Sequence, residues 1–312
     1  MNQGTQKTKI VLICGPTAVG KTTAGIETAK VFNGEIISAD SRQIYRHMNI
    51  GTAKPTAEQL SEIPHYLIDF VKPDQHFDAN QFAQMAHEII ANLVFKNKLP
   101  IVVGGTGFYI KALLHGLFRD NHSDHAVRQK LRQQADTHGK QFLFDKLRSV
   151  DPETANRLHP NDTFRVIRAL EVYETSGEPL SSLHHKHRFT QSPYHALKIG
   201  LYLDRQTLYK HIDQRVDIMI SEGLIEEVRA ILDRGYSPEL KAMKAIGYNH
   251  LAAYLFGNCS LEEAVRTLKR DTRRYAKRQM TWFRADPEIN WIRPTEKKTL
   301  IKLVRQFLNT KK

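Results

Sequence analysis

The sequence predicts an α/β fold, a parallel sheet core interrupted by a helical insertion. Three observations predict it. A short β-branched run, Lys9 to Cys14, stops at a glycine-containing loop that opens a helix-like stretch, which is the strand–loop–helix order of a βα unit. Further apolar runs at Glu35–Asp40, Leu99–Val103 and Ile199–Leu203 are short and bounded by turn residues, as strands buried on both faces of a parallel sheet should be. Between residues 116 and 198 no such run occurs, and the apolar spacing turns helical. The expected division is a first core part at 1–115, a helical insertion at 116–198, and a second core part at 199–312 that ends in basic helices.

The loop after the first strand reads Gly15-Pro-Thr-Ala-Val-Gly20-Lys21-Thr22. It fits G-x-x-x-x-G-K-[ST] at every position and leads into Thr23–Phe32, so the core is read as P-loop NTPase-like. Gly15 and Gly20 let the backbone curl until successive N–H groups face one anion, and the helix amino terminus adds its positive end. Lys21 supplies a point charge, and the Thr22 hydroxyl can ligate Mg²⁺. The motif specifies a diphosphate or triphosphate without saying which.

The second strand ends in Asp40. Strand carboxyl ends line the ligand crevice of open parallel sheets, so Asp40 is expected near the loop as a general base or an outer magnesium ligand. Asp40-Ser-Arg-Gln43 equally fits a reciprocally capped helix start. The third strand runs into Gly104-Gly-Thr-Gly107, where glycines permit close approach and Thr106 offers a hydroxyl. A nucleotide-hydrolysing enzyme would place a magnesium-binding Asp there. Asp69 in Tyr66-Leu-Ile-Asp69 is a substitute, or it faces solvent. No N-K-x-D occurs, which argues against a GTPase, and the phosphates can be those of a group donor.

In the insertion, Asn161-Asp162 can cap a helix running to Gly177, with Arg165 and Arg168 three apart on one face. After the Asp204 strand end, Tyr209–Gly235 is a long amphipathic pattern carrying Arg215, a possible second phosphate clamp. The last long helix opens with Ser260-Leu-Glu-Glu263, a capping-box pattern. Leu261, Ala264, Val265, Leu268, Tyr275, Ala276 and Phe283 follow core spacing, and Arg266, Arg270, Arg273 and Lys277 form another stripe. From Arg266 to Arg284 there are eight basic residues and one acid. That imbalance forgoes the pairing an ordinary solvated helix uses, so it favours a polyanion-binding face.

Composition sets the outer bounds. The chain has 312 residues, 46 Lys plus Arg against 33 Asp plus Glu, a formal charge of +13, and a 41% hydrophobic fraction. This is a globular chain with a core, not a disordered one. Of the surplus, +8 lies beyond residue 198, whereas the first 114 residues carry only +2. Two cysteines exclude a disulfide framework or a thiolate zinc site. No run approaches the ~20 apolar residues of a membrane span, nor the ~7–15 of a signal-peptide core. A cytoplasmic protein is expected.

Read together, several blocks resemble one family, the bacterial tRNA dimethylallyltransferases, also called tRNA isopentenyltransferases. They are Gly15–Thr22, Ile37-Ser-Ala-Asp-Ser-Arg-Gln-Ile-Tyr45, Ile50-Gly-Thr-Ala-Lys-Pro55, Pro64-His-Tyr-Leu-Ile-Asp69 and Val103-Gly-Gly-Thr-Gly-Phe-Tyr109. Arg165-Val-Ile-Arg-Ala-Leu-Glu-Val172, Ala245-Ile-Gly-Tyr248, Thr272-Arg-Arg-Tyr-Ala-Lys-Arg-Gln279 and Thr281-Trp-Phe-Arg284 complete the set. The resemblance implies transfer of a dimethylallyl group from dimethylallyl diphosphate to N6 of adenosine 37, in tRNAs that read codons beginning with U. The products are N6-isopentenyladenosine and diphosphate.

By the same resemblance the diphosphate rests on Gly15, Thr17, Ala18, Val19, Gly20, Lys21 and Thr22, with Arg215 as second clamp and Mg²⁺ on Thr22. Asp40 matches the general base, and Thr17, Lys21 and Arg215 complete the catalytic set. Asp40, Ser41, Arg42, Gln43, Thr106, Arg128, Arg165, Arg168, Gly247 and Tyr248 match tRNA-contacting positions, to which the basic stripe adds Arg273 and Lys277. Phe164 stands where many relatives carry a polar residue. The implied partners are the tRNA anticodon stem-loop and dimethylallyl diphosphate, with no membrane, for a monomer of the nucleotide-binding (ATP-binding) P-loop class. Two other classes stay open: a P-loop kinase, revealed by ATP turnover without RNA, and a non-catalytic RNA-binding protein.

Overall fold

The computed structural model describes residues 7–116, 124–187 and 192–310. The chain divides into two compact units, 1–114 with 193–312, and 115–192. In the larger unit the first half runs β1 (Thr8–Cys14), α1 (Lys21–Phe32), β2 (Gly34–Ser38), α2 (Ala57–Glu62), β3 (His65–Tyr66), α3 (Ala79–Phe95), β4 (Leu99–Gly104) and α4 (Gly107–His115). The smaller unit holds α5 (His125–His138), α6 (Lys140–Val150), α7 (Pro152–Arg157), α8 (Thr163–Ser176) and α9 (Leu180–His187). The larger unit resumes with β5 (Tyr194–Leu201), α10 (Arg205–Ser221), α11 (Leu224–Asp233), α12 (Tyr248–Leu255), α13 (Leu261–Arg284), β6 (Asn290–Ile292) and α14 (Lys297–Asn309).

The sheet order is β3-β2-β4-β1-β5-β6, and every pairing is parallel. Val11, Ile13, Ile101, Val103 and Ile199 form the centre of a cluster that α1, α13 and α14 cover, and Ile10, Leu12 and Val102, which alternate with them on the other face, are buried as well, the two-faced burial that explains the apolar strand runs. Cys14 at the end of β1 lies beside Gly104 at the end of β4 and Gly200 in β5. The loops that follow these strands therefore meet at one sheet edge, where the site lies.

Three expectations need correction. The fourth long strand starts at Tyr194, not Ile199, and pairs with β1 from Thr8↔Tyr194 onward. Lys198 hides this in the sequence: it is buried, and its ammonium is held by Asp286 at 2.8 Å and Glu288 at 2.7 Å. The Tyr209–Gly235 pattern is two helices, because Gly223 takes φ 96° and restarts the chain as α11. At Ser260 only half of the capping box forms: its hydroxyl accepts from the Glu263 N–H, but the Glu263 carboxylate pairs with Arg266.

The smaller unit has its own core around Leu131, Leu143, Leu147 and Leu170. Asp162 caps α8 by accepting from the Arg165 N–H, and Gly177 (φ 72°) ends it, as the sequence predicts.

Candidate active site

The anion end of the site is built by the loop between β1 and α1. Gly15 sits at φ 144°, and a Cβ there would come within 2.6 Å of the Leu201 carbonyl oxygen, so the position accepts only glycine. Ala18 (φ 63°) continues the curl, and Gly20 stands at the head of α1 with no side-chain cap, leaving the first-turn amides open. Lys21 donates from Nζ to the Pro16 carbonyl at 2.6 Å. Burial pushes its pKa down to about 8, against the pull of Asp40, and Arg215 pushes the same way. Arg215, from α10, is likewise lowered by burial and has no hydrogen-bonded or ionic partner among the described residues. Two cations thus share one concavity without an ion-paired partner among the described residues, a costly arrangement that an incoming diphosphate would relieve.

Asp40 follows β2 at the opposite side. Its Oδ1 accepts from the Arg42 N–H at 2.8 Å and the Gln43 N–H at 3.4 Å. The backbone there is a turn, not the start of a helix, so the capping alternative holds only as a local turn. With Oδ1 engaged, Oδ2 has no partner among the described residues and is the oxygen able to accept a proton. Thr106 stands behind this turn: its hydroxyl accepts from the Ser41 N–H at 3.0 Å. Gln43 holds the 52–53 loop through the Ala53 carbonyl at 3.0 Å, and Arg42 reaches the Lys241 carbonyl at 3.0 Å.

These groups line one cavity of about 1050 Å³, whose wall includes Thr17, Ala18, Gly20, Lys21 and Thr22 on one side and Asp40, Ser41, Arg42 and Gln43 on the other. Arg215 and Gly247 also line it. Gly15, Val19 and Thr106 stand outside the lining and act from behind it. The volume is at the top of the range for small-ligand sites, roomy enough for a diphosphate with a base beside it.

Several expected RNA contacts are engaged inside the fold instead. Tyr248 is 0% exposed, and its hydroxyl donates to Glu227 at 2.6 Å. Arg273 is committed to Asp213 of α10 at 2.6 and 2.8 Å. The charge imbalance along α13 is partly offset, from α10 and from within the helix: Lys269 pairs with Asp217 of α10, whereas Arg266 pairs with Glu263, and Arg270 and Arg274 with Asp271, on α13 itself. Lys277, Arg278 and Arg284 remain exposed without an ionic partner among the described residues. Arg128 and Arg168 both grip Glu171, itself 0% exposed, at 2.9 and 2.7 Å. Arg165, exposed, pairs with Asp162 at 3.0 Å. Asp69 also lines the cavity, with its Oδ1 paired to the Lys54 ammonium at 2.5 Å.

Two residues escaped the sequence reading. Glu227 accepts from the N–H groups of Asn49 (2.8 Å), Ile50 (2.9 Å) and Gly51 (3.1 Å), pinning the loop at the cavity wall. Nothing in its local pattern announces this, since its partners are far away in sequence. Gln279 is a buried polar residue on the apolar stripe of α13, between Ala276 and Phe283. A lone amide at core spacing was the available signal. It accepts from the Thr17 N–H, so Thr17 can offer a ligand its side chain but not its amide.

Among the described residues no group of three or more His, Cys, Asp or Glu could hold a metal. The donors present suit a hard cation that takes most of its ligands from phosphate and water, with the Thr22 hydroxyl as the protein ligand; Mg²⁺ fits that set. No helix among the described residues is long and apolar enough to cross a membrane.

Comparison with known proteins agrees with the architecture. The family model described as IPP transferase matches residues 43–286. The chain is 50% identical over 303 residues to the tRNA dimethylallyltransferase of Desulfosudis oleivorans, covering 96% of each. It is 48% identical over 291 residues to the tRNA dimethylallyltransferase of Geobacter sulfurreducens, covering 93% of this chain and 94% of the relative. Among solved structures, the full-length tRNA isopentenylpyrophosphate transferase of Bacillus halodurans superposes with a TM-score of 0.73 at 41% identity, covering 97% of both chains. A eukaryotic dimethylallyltransferase acting on tRNA gives a TM-score of 0.76 at 29% identity, covering 88% of this chain and 69% of that one. With sequence matches near full length and the same parallel-sheet frame, this chain belongs to the IPP transferase family.

Proposed function

We propose that this enzyme is a tRNA dimethylallyltransferase that moves the five-carbon group of dimethylallyl diphosphate onto N6 of adenosine 37, beside the anticodon. The observation that carries the reading is the cavity itself. It brings Lys21 and Arg215, two cations outside any ion pair among the described residues, into one lining with the Asp40 carboxylate, whose Oδ2 is uncommitted.

The residue roles follow from the charges that move. As the allylic C–O bond breaks, negative charge grows on the departing diphosphate, and Lys21, Arg215 and the first-turn amides of α1 are fixed partners for it. The Thr22 hydroxyl would hold magnesium, which would supply further positive charge there. The adenine amine forms the new C–N bond and becomes acidic as it does so. Its proton passes to the Asp40 carboxylate, which the Arg42 and Gln43 amides hold in place through Oδ1. The base must leave its stack to reach the cavity, a few kcal/mol that contacts to the RNA backbone can offset. Lys277, Arg278 and Arg165 are the exposed cations suited to those contacts.

The test is direct replacement of the proton acceptor. Asp40→Asn should retain tRNA binding within about twofold while turnover falls by roughly 10²–10⁴. Equal loss of binding and turnover would assign Asp40 to the turn alone.

A further inference from the structure

Gln279 is 6% exposed, and both ends of its amide are used. Oε1 accepts from the Thr17 N–H at 2.9 Å, and Nε2 donates to the Gly105 carbonyl at 2.9 Å. The partners fix the orientation of the amide, because only its oxygen can accept from an N–H and only its nitrogen can donate to a carbonyl. Thr17 lies in the loop after β1 and Gly105 in the turn after β4, so one side chain from α13 joins the segments that follow two neighbouring strands. The fit is tight: a Cβ at Gly105 would approach Nε2 to 2.3 Å. One turn earlier on α13, Ala276 is wholly buried in the sheet core, which makes the helix a fixed point for this bridge.

Resting on the diphosphate reading above, we propose that Gln279 is a positioning residue for the phosphate loop. It takes up the Thr17 N–H, the one loop amide committed to a side chain, and ties the start of the loop to β4 and α13. The amides that follow and Lys21 are then held in the conformation that receives the diphosphate, without being reordered on binding. Gln279 touches neither substrate in this scheme. Its effect reaches the donor through the loop, so it should appear in donor affinity and not in RNA affinity.

The experiment uses the full chain and inorganic pyrophosphate with Mg²⁺, titrated calorimetrically into the wild type, Gln279→Met and Gln279→Asn. Methionine keeps the shape and removes both hydrogen bonds, whereas asparagine keeps the amide on a shorter side chain. Pyrophosphate affinity should fall about tenfold in Gln279→Met, with KM for dimethylallyl diphosphate rising in step, kcat changing less, and the tRNA dissociation constant staying within about twofold. Equal pyrophosphate affinity and equal KM in wild type and Gln279→Met would overturn the assignment while leaving the diphosphate reading standing. A wild type that binds no pyrophosphate would overturn both. Should Gln279→Met lose its fold, the uncharged and shorter Gln279→Asn carries the same readout, since weaker pyrophosphate binding than wild type supports the role and equal binding refutes it.

Discussion

At the scale of the residue, Lys21 responds to the cavity it lines. Burial lowers the Lys21 pKa from its ordinary 10.5 to about 8 in the free protein. Between those values the unfolded chain binds the proton and the folded chain does not, so raising the pH through this window adds stability from Lys21. Below about pH 8 the folded protein carries the full penalty of a buried cation. A bound diphosphate reverses the preference by favouring charged Lys21. Donor affinity should therefore be flat from pH 7 to about 8, then fall by up to tenfold per unit above it. Calorimetric titration across pH 7–9.5 checks this, and an affinity that rises with pH would contradict it. The loop residues and Asp40 were legible in the sequence because a motif and a strand end mark them. Tyr248 was misread, because a tyrosine beside a glycine turn looks the same whether its hydroxyl faces RNA or the Glu227 carboxylate.

At the scale of the element, α13 is where sequence and structure part most. Its basic stripe was legible, but its acids were not, since Asp213 and Asp217 sit on α10 and only the tertiary fold brings them across. Two variants separate the roles. Arg273→Gln should cost up to about 1 kcal/mol of stability, as a partly exposed ion pair does, with little change in the salt dependence of RNA binding. Lys277→Gln with Arg278→Gln should leave the melting temperature unchanged and lower the slope of log K against log salt by about 1–2. Thermal unfolding and salt titrations on the two variants check this, and the reverse pattern would return Arg273 to the RNA-facing surface. The smaller unit carries the same lesson. Arg165 and Arg168 share a face in sequence, yet Arg168 turns to buried Glu171 together with Arg128, whereas Arg165 stays at the surface. Glu171→Leu leaves two guanidinium groups without their carboxylate and should destabilise this unit by about 3–5 kcal/mol. A melting curve unchanged from wild type would show the clamp to be incidental.

At the scale of the whole molecule, the formal charge of +13 is a poor guide to where an anion binds. The first third is close to neutral, yet it builds the phosphate loop from backbone amides, which formal charge does not count. The last third holds the surplus, but part of it is spent inside the fold, where Lys269 and Arg273 pair with Asp217 and Asp213 of α10. What remains available includes Lys277, Arg278 and Arg284 on α13 and Lys298, Lys302 and Arg305 on α14, exposed and without ionic partners among the described residues. The parallel core was legible because buried strands write continuous apolar runs; β6 and the early part of β5 were not, being short or carrying a buried lysine. The most direct test of the proposed chemistry is to incubate the protein with isotope-labelled dimethylallyl diphosphate, Mg²⁺ and a tRNA bearing adenosine 37, then digest the RNA and weigh its nucleosides. The expected result is one labelled dimethylallyl group on that adenosine, a net gain of C₅H₈, lost when Asp40 becomes Asn. Unlabelled tRNA beside intact RNA binding, or consumption of ATP without RNA, would contradict it.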